Sequence, residues 1–68
     1  MTAKIIPADV EVENGGSIFI FRLITGSAKL WVDDNVTEPM WFGHGLAVDH
    51  RYAEDLAHGM QESGLVIR

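Results

Sequence analysis

Asp9-Val10-Glu11-Val12-Glu13 alternates strictly between acidic and apolar residues, and Asn14-Gly15-Gly16 follows it directly. This is the feature that most limits what the chain can become. Alternation with a period of two belongs to a half-buried strand. Asn and Gly tolerate the positive φ angles of a tight hairpin turn. The segment Ser17 to Ile24 then reads as the return strand, apolar on both faces apart from Ser17 and Arg22. A two-residue loop at Asn14-Gly15 or at Gly15-Gly16 puts Val10 and Val12 on the face of Phe19, Phe21 and Leu23. Ile18, Ile20, Arg22 and Ile24 then share the other face with Asp9, Glu11 and Glu13. With Gly15-Gly16 as the loop, Asp9 stands opposite Arg22.

Helical spacing takes over after the hairpin. Thr25 is the expected N-cap of a helix over Gly26 to Asn35, with Ala28, Trp31 and Val32 on its inner side and Leu30 exposed. Thr37-Glu38-Pro39 is a connection. Met40-Trp41-Phe42 is a bulky apolar cluster before the bend Gly43-His44-Gly45, and Leu46-Ala47-Val48 reads as a third strand. Asp49 caps a second helix, His50 to about Ser63, with an apolar stripe of Tyr52, Ala53, Leu56, Ala57 and Met60. Gly64 ends it, and Leu65-Val66-Ile67 is a last strand. The expected order is β-β-α-β-α-β. This describes one small α+β domain spanning 1–68, a mixed four-stranded sheet with two helices on one face. Its expected core is Val10, Val12, Phe19, Phe21 and Leu23 against Trp31, Val32, Leu56 and Met60. Residues 1–8, with Ile5-Ile6 before Pro7, form a flexible or edge segment.

The pattern Asn14-Gly15-Gly16-Ser17-Ile18-Phe19, Trp31, Trp41-Phe42-Gly43, Leu46-Ala47-Val48-Asp49-His50-Arg51-Tyr52, Gly59-Met60 and Gly64-Leu65 resembles a family of short uncharacterised proteins of bacteria, phages and mobile elements. Leu30 departs from the polar residue expected at that position. No activity is established for the family, so the resemblance implies a compact domain and a mobile-element setting and assigns no residue a role.

Composition excludes several functions. The 68 residues include no cysteine, so disulfides and thiolate chemistry are ruled out. No apolar run is long enough for a membrane span or, in Met1–Pro7, for a signal peptide, and a cytoplasmic location is expected. The five basic residues are scattered, which disfavours direct nucleic-acid binding. His50, Glu54 and His58 recur every four residues, with Asp49 adjacent, yet they fall opposite the apolar stripe and read as a solvated face rather than a metal site. No nucleophile accompanies the Asp49-His50 or Glu54-His58 pairs, and Gly43-His44-Gly45 is no phosphate cradle. The reading is therefore a non-enzyme with no cofactor.

Ten carboxylates against five basic groups give a net charge of −5. Ile18, Ile20 and Ile24 form an apolar face left open if both helices cover the Phe face, to be buried either by a partner or by the N-terminal segment folding over it through Ile5 and Ile6. Asp9, Glu11 and Glu13 border that face, and Asp33, Asp34 and Glu38 add acidic surface. These nine residues are the expected protein interface. The function expected is an acidic protein-binding module. In a phage setting it would inhibit a host or defence protein by competing with nucleic acid for a basic groove, as anti-CRISPR proteins illustrate. The alternative is a structural or regulatory homo-oligomer, such as a dimer, that buries the Ile face against its own copy. The acids equally serve solubility.

Overall fold

The computed structural model describes residues 8–68. The expected edge segment therefore falls almost wholly outside the described residues. Within them run β1 (Val10–Asn14), β2 (Ile18–Leu23), α1 (Gly26–Asn35), β3 (Trp41–Phe42), β4 (Gly45–Asp49) and α2 (His50–Glu62). The strands form one antiparallel sheet in the order β1-β2-β4-β3. The α+β class, the single layer of helices and both helix spans agree with the sequence reading.

The element order differs: it is β-β-α-β-β-α. Trp41 and Phe42, read as a cluster, pair with Leu46 and Gly45 around the two-residue loop Gly43-His44. Gly43 takes a φ of +62°, which the tight turn requires. The terminal strand shrinks to a single parallel bridge, Val10 with Ile67. Backbone bonds flank it, from Val12 N–H to the Arg68 carbonyl at 2.8 Å and from Arg68 N–H to the Val10 carbonyl at 2.9 Å. This bridge is where the sheet is mixed.

The hairpin register also moves. Glu11, not Asp9, stands opposite Arg22, and Asn14 stands opposite Phe19. The loop is thus Gly16-Ser17. Asn14 Oδ1 accepts from Gly16 N–H at 2.8 Å, and Gly16 carries a φ of +91°. Gly15 closes the loop by donating to the Ile18 carbonyl at 2.9 Å, and a Cβ at Gly15 would lie only 2.7 Å from that oxygen. The slip is two residues, so every side chain keeps its expected face.

The core is Val10, Phe21, Leu23, Ala28, Val32, Leu46, Ala53, Met60 and Leu65, joined by half-buried Val12, Phe19, Trp31 and Leu56. Tyr52 leaves the expected stripe and is 59% exposed. It sits in the first turn of α2, beside the part of β4 that the short β3 does not cover. Both helices lie on one face for a topological reason. Strand β2 leads through α1 to the parallel β3, and β4 leads through α2 to the segment parallel to β1. These crossovers start from antiparallel strands and run in opposite directions, so a common hand puts both helices on the same side.

Candidate functional site

Among the described residues, no helix covers the other side of the sheet. There Ile20 stands directly across from Ala47, and Phe42 pairs with Gly45 one step further along. Ile18, Ile20, Ala47 and Phe42 line one shallow depression of about 340 Å³, with Gly15 at its end. Phe42 is 71% exposed and Ile18 40%, whereas Ile20 is half-buried. Gly45 is needed here because an added Cβ would collide with Ile20 Cγ2.

The structure brings Ile18 and Ile20 together but not Ile24. Arg22 intervenes on the same face and binds Glu13, Nη2 to Oε1 at 2.6 Å. Ile24 lies beyond this pair, exposed past the end of β2. Phe42 and Ala47 join the patch in its place. The signal that could have found them is Phe42-Gly43-His44-Gly45, an aromatic followed by a two-residue turn.

The acidic residues divide. Glu11 and Glu13 are exposed on β1 beside the patch. Asp9 is half-buried and engaged internally: its carboxylate accepts from Thr25 Oγ1 at 2.7 Å and from Val66 N–H at 2.8 Å. The Val66 amide, then the Thr25 hydroxyl, hold the Asp9 carboxyl below its ordinary pKa. Asp33 and Asp34 are exposed at the end of α1, and Glu38 is exposed in the following connection. Neither Arg51 nor Lys29 pairs with Asp33 or Asp34 among the described residues. Arg51 instead grips Asp49, Nε to Oδ1 at 3.1 Å and Nη2 to Oδ2 at 3.2 Å. That side-chain contact, with the Arg51 amide behind it, lowers the Asp49 pKa to about 2.

His50, Glu54 and His58 are all exposed on α2. Among the described residues no three His, Asp or Glu side chains converge to hold a metal ion. No described helix is long and apolar enough to cross a membrane. Comparison with protein-family models, with curated proteins and with solved structures returns no match.

Proposed function

We propose that the chain is an acidic protein-docking module without catalysis of its own, acting in the cytoplasm through its helix-free sheet face. The observation that carries this reading is the apolar patch of Ile18, Ile20, Ala47 and Phe42, bordered at Ile20 by the Glu13–Arg22 ion pair, with Glu11 exposed one pair further along β1. Contiguous apolar surface with a polar rim suits an interface. The partner favoured is a protein with an apolar ridge flanked by basic groups. A net charge of −5 attracts such a surface, and it opposes docking of a second, equally negative copy. A protein whose basic groove binds nucleic acid fits this description, with the module as competitor. Inhibition of a host or defence protein in a phage setting is the concrete form of this reading.

The test compares the wild type with an Ile18→Ser, Phe42→Ser double variant, which places no charge opposite Asp49. Both positions are exposed, so the variant is expected to melt like the wild type, within about 0.5 kcal/mol per position. Immobilised wild-type protein should retain a basic host protein at low salt and release it at high salt. The double variant should retain none. A salt-insensitive wild-type dimer, made monomeric by the variant, would replace this reading with the homo-oligomer. A partner retained equally by both proteins would remove the sheet face from the interface.

A further inference from the structure

A second opening lies on the helix side of the sheet. It is a groove of about 560 Å³ between the end of α1, the connection 36–40, β4 and the first turns of α2. Volumes of about 300–1,000 Å³ are usual for ligand sites. Trp31, Val36, Met40, Val48, Tyr52 and Leu56 supply its apolar walls. It exists because β3 pairs with β4 only over Trp41 and Phe42, so the helix-proximal end of β4 has no such neighbour.

One wall is fixed in advance. Trp31 Nε1 donates to Ser63 Oγ at 2.7 Å, and the indole lies so near Gly59 that a Cβ there would meet it at 3.4 Å. The groove's charge is one-sided. Glu38, Asp49 and Asp55 line it, and no Lys or Arg does among the described residues. Asp49 is already matched by Arg51, whereas Glu38 and Asp55 have no ion-pair partner among the described residues. The negative end of α1, with no basic residue in its last turn, opens beside the groove at Val36.

We infer that this groove takes a short segment of a partner protein in which an apolar side chain stands beside Lys or Arg. An apolar anchor alone would desolvate Glu38 and Asp55 without pairing them, which is costly. An acidic segment would be repelled. A cationic neighbour satisfies both carboxylates while the anchor covers Trp31 and Leu56. The groove and the patch of Ile18 and Phe42 open on opposite sides of the sheet, with Ala47 of β4 lining both, and the groove's ligand does not depend on the role proposed for that patch.

The experiment titrates the whole protein, labelled with ¹⁵N, with an acetylated and amidated pentapeptide of alternating Lys and Leu. A second titration uses its Glu-Leu counterpart. The Lys peptide should shift the amides of Val36, Glu38, Val48, Tyr52 and Asp55 and bind about ten-fold more tightly than the Glu peptide. Glu38→Gln with Asp55→Asn should weaken it several-fold, as should raised salt. Ile18→Ser with Phe42→Ser keeps the net charge and should leave binding unchanged, which separates this site from the sheet face. Equal binding of both peptides would overturn the inference. Shifts confined to Ile18, Ile20 and Phe42, or no saturable shift at millimolar Lys peptide, would do the same.

Discussion

Asp9 ties three distant parts of the chain at one carboxylate. Its oxygens accept from Thr25, the N-cap of α1, and from the Val66 amide beside the parallel bridge, while its own carbonyl accepts from Ile24 N–H at 2.8 Å. Thr25 Oγ1 in turn accepts from Ala28 N–H at 3.2 Å. Thr25→Ala should cost about 1 kcal/mol through the lost cap alone, and a denaturant titration would read it. Asp9 and Asp49 both have folded pKa values below their unfolded ones. A depressed carboxylate stabilises the fold above its unfolded pKa of about 3.9, and that stability disappears as pH falls through the folded value. For Asp49 the window runs from about 4 down to about 2. Melting temperature should therefore fall between pH 4 and pH 2. Asp9→Asn should melt earlier than the wild type at pH 6, with the gap narrowing as both are acidified. A gap that stays constant with pH would show that Asp9 acts by something other than its charge.

At the scale of the element, the two helices end differently. After α2, Gly64 takes a φ of +93°. Leu65 N–H then reaches the Met60 carbonyl and Gly64 N–H the Gln61 carbonyl, both at 3.0 Å, a Schellman termination with Leu65 and Met60 together in the core. Gly64→Ala should destabilise by about 1–2 kcal/mol, because a Cβ disfavours the left-handed region. Helix α1 instead ends on Asp33, Asp34 and Asn35, with no basic side chain in its last turn. Lys at positions 33 and 34 should each add about 0.3–1 kcal/mol by reversing an unfavourable dipole contact. A lower melting temperature in Asp33→Lys, Asp34→Lys would mean that the acids hold a structural contact. The connection that follows holds Glu38 at a φ of +54°, immediately before Pro39. Glu38→Gly should raise the melting temperature by relieving that conformation, while removing a carboxylate from the groove.

For the whole molecule, the topology that covers one sheet face places no helix over the other among the described residues. Two crossovers of one hand, running in opposite directions, concentrate Val10, Phe21, Leu23, Leu46 and both helices on the inner side. Among the described residues the outer side keeps only what the strands provide, and there Gly45 leaves room for Ile20. Gly45→Ala should cost about 1–3 kcal/mol through overpacking, since Ile20 is β-branched and stiff. Ile20→Glu is a poorer probe of the face than Ile18 or Phe42, because Ile20 is half-buried. Thermal unfolding of Gly45→Ala beside Ile18→Ser would separate the two: the first should lose stability and the second should change little.

Periodicity and capping chemistry made much of this molecule legible from the sequence. Alternation assigned Val10, Val12 and Phe21 to the inner face and Ile18 and Ile20 to the outer one, whatever the loop. Thr25, Asp49 and Gly64 marked helix boundaries because their side chains, or the lack of one, act on amides within a few residues. Alternation could not choose the loop, because registers two residues apart give each side chain the same face; the structure selects Gly16-Ser17 through the local contacts of Asn14 Oδ1 with Gly16 N–H and of Gly15 N–H with the Ile18 carbonyl. Only tertiary pairing with β4 made a strand of Trp41-Phe42, too short to show a period. The patch with Phe42 and the groove with Glu38 and Asp55 belong to the same class. Each joins residues far apart in the chain, and local pattern carries no information about which strand lies beside which.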